Sequence, residues 1–181
     1  MLKKELEELM TFMKDEGEQL GLSQVNLDKI KVDKIETLKF TFPSHTSQLE
    51  LIRLVSSRVI STLPAFDEDD LDDIGLAMDE ACTNIIVHSY HENISGVIIV
   101  KFTLEPDKVT ITIIDKGEKG QTFNPDELSI VDKEAYLSTL SRGGLGVHII
   151  KKIMDEVEYT VVPGLHNCLT MVKYGKISVK K

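Results

Sequence analysis

Residues 97–115 read Val-Ile-Ile-Val-Lys-Phe-Thr-Leu-Glu-Pro-Asp-Lys-Val-Thr-Ile-Thr-Ile-Ile-Asp. Apolar and polar positions alternate from Val97 to Leu104 and again from Val109 to Asp115, the period of strands. Glu105-Pro106-Asp107-Lys108 between them is turn chemistry, so the run is a β-hairpin. Upstream, Asp67 to Asp73 concentrates acid where a helix N-terminus favours it, and a long helix is expected from there to about Tyr90. Its apolar positions are Leu71, Ile74, Met78, Ala81, Cys82, Ile85 and Ile86. Before it, Leu51, Leu54, Val55 and Val59 form a helical stripe that ends by Pro64. Ser44 and Ser47 are candidate N-caps for that helix, and Ser47 and Glu50 have capping-box spacing. Ile35 to Phe42 alternates as a strand closed by Pro43.

Downstream of the hairpin, residues 116–142 are polar and weakly periodic, which inside a compact domain marks a functional loop or lid. Their helical hint is Asp126 to Thr139. Gly143-Gly144-Leu145-Gly146 then opens an apolar helix, and Val157 to Val162 with Leu169 to Tyr174 form a last hairpin across Pro163-Gly164. Helices with a sheet rich in antiparallel pairs give an α+β fold, a two-layer α/β sandwich with a mixed, mostly antiparallel sheet and helices on one face. At the N-terminus, Leu2, Leu6, Leu9 and Met13 recur at helical spacing on a Lys and Glu background. Two heptads are too few for a free coiled coil, so this helix is expected to pack on its own domain, a small dimerising arm being the alternative. Gly21 to Lys34 reads as a polar connection.

The chain has 181 residues, 41% apolar and 28% charged, within the globular range and long enough for a core without disulfide or metal staples. Cys82 and Cys168 therefore read as structural or incidental. A formal charge of −9 argues against a nucleic-acid surface and against anionic lipid. No apolar run is long enough for a membrane span, and Met1 to Leu20 lacks the build of a signal peptide, so a cytoplasmic location is expected.

In the long helix Glu80, Asn84 and His88 fall at i, i+4 and i+8 and share one polar stripe with small or apolar flanks, Ala77, Thr83 and Val87. A solvated helix face is one reading and a pocket wall the other. A carboxylate with an amide four residues on can position a hydroxyl and complete the oxygen shell of a Mg²⁺ ion that holds phosphates. His88 would reach a phosphate or hydrogen-bond at the helix terminus. Asp115, leaving an apolar strand before Lys116-Gly117, is a turn former or an acceptor for an exocyclic amine such as that of adenine. Arg142-Gly143-Gly144-Leu145-Gly146 sets bare backbone amides and a helix N-terminus beside a guanidinium, an anion cradle or a flexible helix entry. It matches neither a Walker A loop nor a dinucleotide-binding fingerprint.

Taken together, Glu80-Ala81-Cys82-Thr83-Asn84 with His88, Asp115-Lys116-Gly117 and Arg142-Gly143-Gly144-Leu145-Gly146 resemble, in order and spacing, the N, G1 and G2 boxes of the GHKL, or histidine kinase-like, ATPases. Within them the chain is most similar to the bacterial anti-sigma factor serine kinases of the anti-sigma-B type, through Met78 to Asn84, Gly143 to Gly146 and Met154-Asp155-Glu156-Val157. The resemblance covers about Thr37 to Tyr174 and implies the Bergerat ATPase fold, with ATP and Mg²⁺ bound. It implies that a sigma factor is held inactive and that a serine of a STAS-domain anti-sigma factor antagonist is phosphorylated. Glu80 would be the general base and Asn84 the Mg²⁺ ligand. His88, Asp115, Gly117, Arg142, Gly143, Gly144, Leu145, Gly146 and Cys168 would line the ATP site, and Arg53 would touch partners. The chain carries Lys119 where the family has a second glycine, and Cys168 where it often has threonine near the adenine.

Three segments follow from this reading: a helical extension and connection at 1–34, the ATPase domain at 35–176 and a tail at 177–181. A homodimer is expected from the resemblance. Competing readings are an ATP-gated module that sequesters a partner without transfer, and a detached histidine kinase domain. The second lacks its phosphoaccepting His, since no His precedes His45.

Overall fold

The structure is a computed structural model and describes residues 8, 11–12, 14–15, 26–32, 35–89, 96–115, 144–162 and 166–176. Among the described residues six strands, β1 (Asn26–Val32), β2 (Ile35–Pro43), β3 (Val97–Glu105), β4 (Lys108–Asp115), β5 (Glu156–Val162) and β6 (His166–Tyr174), form one sheet in the order β1-β2-β3-β4-β6-β5. Among the described residues all five pairings are antiparallel, so the sheet expected to be mixed and mostly antiparallel is antiparallel in each of them. The helices α1 (Leu49–Ile60), α2 (Glu68–Asn84) and α3 (Gly144–Ile153) accompany it, and residues 8, 11–12 and 14–15 are helical as well. Among the described residues no helix is long and apolar enough to cross a membrane.

The alternation read in the sequence is what builds the core. Leu38, Phe40 and Phe42 of β2, Ile98, Val100, Phe102 and Leu104 of β3, and Val109, Ile111 and Ile113 of β4 are all buried. They join one cluster with Leu51, Val55 and Val59 of α1, Ile74, Met78 and Cys82 of α2 and Ile150 of α3. Each large side chain so buried stabilises the fold by about 1.5–3 kcal/mol relative to exposure. Phe40 stacks beside Phe42 and meets Phe102 edge-on with centroids 5.8 Å apart.

Strand β1 occupies part of the stretch that reads as a connection. It pairs with β2 from Asn26↔Thr41 to Val32↔Ile35. Its residues hide the period because Leu27 falls at one parity and Ile30 and Val32 at the other, among charged neighbours. At the N-terminus, Phe12 packs against the core and Glu8 lies 3.8 Å from Arg58 of α1. Leu2, Leu6, Leu9 and Met13 lie outside the described residues, as does the helical hint at 126–139.

The helix starts differ from expectation in one case and agree in the other. Neither Ser44 nor Ser47 caps α1: a single 3-10 turn (Thr46–Gln48) precedes it, capped by His45, whose Nδ1 accepts from the Ser47 N–H at 3.2 Å. Ser44 is instead buried and donates its N–H to Gly96 O at 2.9 Å. Helix α2 starts with a reciprocal box: the Asp70 N–H donates to Asp67 Oδ1 at 3.2 Å and the Asp67 N–H to Asp70 Oδ2 at 3.1 Å. Lys176 pairs with Asp67 and donates its N–H to Ala65 O at 2.8 Å, tying the end of the sheet to this cap.

The Met154-Asp155-Glu156-Val157 motif is a fastening between α3 and β6. Asp155 Oδ2 accepts from the Tyr174 N–H at 2.7 Å, Glu156 Oε1 accepts from the Tyr174 hydroxyl at 2.6 Å, and Lys173 Nζ donates to Ile153 O at 2.7 Å.

The hydrogen bond from Lys176, and after it the Asp70 N–H, holds the Asp67 carboxyl below its ordinary value of 3.8. A group depressed in this way stabilises the fold above its unfolded pKa, and the contribution disappears as pH falls through the folded one. Asp67→Ala should therefore lower the melting temperature at neutral pH, and the gap to the native protein should narrow in acid, read by circular dichroism melts across the carboxylate range.

Candidate nucleotide site

Among the described side chains the polar stripe of α2 comprises Glu80 and Asn84. Ile74, Ala77, Met78 and Ala81 turn towards the sheet and are buried, which points Glu80 and Asn84 elsewhere. Asn84 is the last α-helical residue, 7% exposed, and Glu80 is half-buried one turn earlier. Beyond Asn84 the chain forms a π turn (Ile85–Ser89). That wider turn breaks the 100° spacing that aligned position 88 with Glu80 and Asn84, a local irregularity that π bulges often introduce at functional sites. Only the backbone of His88 lies within the described residues.

Helix α3 completes the group. At Gly146, its third residue, a Cβ would run into Glu80 Oε2 and come within 3.1 Å of Asn84 Nδ2 and 3.4 Å of Glu80 Cδ. Only glycine lets the α3 backbone approach the carboxylate and amide this closely. The first-turn N–H groups of a helix have no intrahelical acceptor, so the positive end of α3 lies against the two polar side chains of α2. Gly144 and Leu145 are the first two residues of α3, whereas Gly117, Arg142 and Gly143 lie outside the described residues.

Asp115 ends β4 and is 2% exposed. It stands directly across from Asn167 of β6, which is 6% exposed and whose Nδ2 donates to Asp115 Oδ1 at 3.2 Å. Sequence reading passed over Asn167 in favour of Cys168. The register corrects this: Cys168 pairs with Ile114, on the sheet face opposite to Asp115, and its sulfur lies 3.9 Å from Thr170 Oγ1. The signal that would have found Asn167 is parity, since only residues two apart on a strand share a face. Tyr159 of β5 is half-buried, and burial first, then the Asp115 charge, raises its phenol well above the ordinary value.

Cys82 is a core residue. Complete burial, with the Asp79 charge adding to it, pushes its thiol up to about 12, so it is a packing group and not a nucleophile. Arg53 is exposed on α1, 3.8 Å from Asp79 of α2, and burial raises the Asp79 carboxyl despite the guanidinium. Arg53 lines an open groove of about 500 Å³ between α1 and α2, with Leu54, Ser57, Leu71, Leu76 and Asp79.

A family model for the histidine kinase-like ATPase domain matches residues 42–173. The chain belongs to that family. The serine-protein kinase RsbW of Staphylococcus aureus is 34% identical to it over 145 residues, 79% of this chain and 89% of that protein. The serine-protein kinase RsbW of Halalkalibacterium halodurans is 32% identical over 149 residues, 80% of this chain and 87% of that protein. The matched span of this histidine kinase-like ATPase contains Glu80, Asn84, Asp115, Gly146 and Asn167, and leaves β1 outside.

Gly146→Ala tests the close approach. The atom in the way is the end of a flexible side chain, and alanine gains roughly 0.5–1 kcal/mol over glycine within a helix. The variant should therefore unfold in urea within about 1 kcal/mol of the native protein, while the Glu80 carboxyl resonance shifts as that side chain is displaced.

Proposed function

We propose that the protein is an ATP-dependent anti-sigma factor serine kinase, which holds a sigma factor inactive and phosphorylates a serine on a STAS-domain anti-sigma factor antagonist. The observation that carries this reading is the meeting of Glu80, Asn84 and Gly146 where α2 and α3 touch, in a chain whose relatives are named serine-protein kinases.

In the proposed reaction the serine oxygen of the antagonist bonds to the γ-phosphorus of ATP, and the bond from that phosphorus to the β-phosphate oxygen breaks. ADP leaves with the bonding electron pair. The hydroxyl proton passes to the Glu80 carboxylate, which acts as general base. The N–H groups at the start of α3 face the phosphate oxygens as negative charge shifts during transfer, and Arg142 and Gly143 are the further proposed phosphate contacts. Asp115 accepts a hydrogen bond from the exocyclic amine of adenine.

Asn84 offers a neutral oxygen of the kind Mg²⁺ takes, and that ion keeps most of its shell for water and phosphate, so one amide beside one carboxylate suits it. Bound there, Mg²⁺ would neutralise phosphate charge. Arg53 and the groove it lines are the proposed contact for sigma factor and antagonist, with the protein acting as a homodimer in the cytoplasm.

Two substitutions test the assignments. Glu80→Ala should abolish transfer of phosphate from labelled ATP to the antagonist's serine while nucleotide affinity, measured by calorimetry, changes little. Asn84→Ala should remove the Mg²⁺-dependent part of ATP binding. Tight ATP binding by the native protein with no phosphoserine formed would leave partner sequestration without transfer.

A further inference from the structure

Gly75 is buried in the interior of α2, where glycine destabilises a helix relative to alanine. Across from it runs the side chain of Arg53 from α1. A Cβ at Gly75 would lie 3.4 Å from Arg53 Cγ and 3.7 Å from Arg53 Cδ, which is ordinary van der Waals contact. A methyl group therefore just fills the space, and a longer side chain meets the Arg53 stem. One turn further along α2, Arg53 Nη1 lies 3.8 Å from Asp79 Oδ2. The stem thus follows the surface of α2 from Gly75 to Asp79, at the wall of the open groove between α1 and α2.

The ion pair by itself does not orient the guanidinium. Arg53 is 53% exposed and Asp79 32%, and a pair so long and so open to solvent contributes little. What holds the side chain is its stem, because a long basic residue lays its methylenes on whatever surface leaves room for them. A guanidinium carries five N–H donors in a planar fork, so one directed to Asp79 leaves others to meet an acceptor on a partner.

We propose that Gly75 is a positioning residue: having no side chain, it lets the Arg53 stem lie along α2, which holds the guanidinium at the groove for the antagonist. The inference rests on the reading of Arg53 as a partner contact and adds the residue that places it. Gly75 lies more than a turn before Glu80 and on the side of α2 that meets α1, so its effect falls on antagonist recognition and not on transfer.

Steady-state transfer from labelled ATP to the STAS-domain antagonist tests this, with melting curves to report whether each variant folds. Gly75→Leu should raise KM for the antagonist about 10-fold, with kcat and KM for ATP within about twofold of native. Gly75→Ala should keep native kinetics and melt higher, since alanine replaces glycine within a helix. Arg53→Ala should raise KM as much as Gly75→Leu does, and adding Gly75→Leu to it should change KM by less than about twofold, because no stem is left to displace. A native KM in Gly75→Leu, a loss in Gly75→Ala as large as in Gly75→Leu, or losses that multiply in the double variant overturn the proposal and leave the kinase reading in place. Gly75→Val carries the same criteria if Gly75→Leu does not fold. A native KM in Arg53→Ala overturns the reading of Arg53, and a native protein that forms no phosphoserine overturns the kinase reading; this inference falls with either.

Discussion

Covering the sheet's apolar face fixes the rotation of α2, and the candidate site depends on that rotation. Ile74, Ala77, Met78, Ala81 and Cys82 are all buried against the core, which leaves the helix one orientation about its axis. Glu80 and Asn84 then point sideways, towards the start of α3, with no separate interaction needed to aim them. The hydrophobic term, of about 1.5–3 kcal/mol per large buried side chain, is what holds a half-buried carboxylate and a buried amide in place.

That placement would mean little without the glycine facing it. The approach of α3 at Gly146 joins two residues of one helix to the N-terminal amides of another, 60 or more positions along the chain. Outward from there the fold invests in keeping α3 anchored. Asp155 and Glu156 hold Tyr174, and Lys173 reaches the Ile153 carbonyl, so the exit of α3 is pinned to β6 while its N-terminus meets α2. The same strand, β6, carries Asn167 at its other end, so one strand both anchors the helix and braces Asp115.

Much of the architecture was legible because both periods are strong. The hairpin of β3 and β4, the strand β2 and the helices α1, α2 and α3 follow from alternation or from 3.6-residue spacing in runs with few exceptions. Strand β1 was not legible, because an edge strand is held by backbone pairing and its side chains need not alternate cleanly. The cap of α1 was missed for a related reason: an intervening 3-10 turn passes the capping role to His45, and serine spacing alone does not reveal it.

By itself the sequence determined which residue types are available and at what spacing: a carboxylate and an amide four apart on a helix, an acid at a strand end, and glycines opening a helix. Such local facts follow from periodicity and side-chain chemistry, and they sufficed to indicate the family. Only the tertiary structure decided which of these groups meet. Strand parity put Asn167, and not its neighbour Cys168, opposite Asp115, because a shift of one residue moves a side chain to the other face. The π turn after Asn84 took position 88 out of line with the stripe, and helix packing set Gly146 against Glu80. Contacts between segments distant in sequence depend on register and packing, which no local pattern encodes.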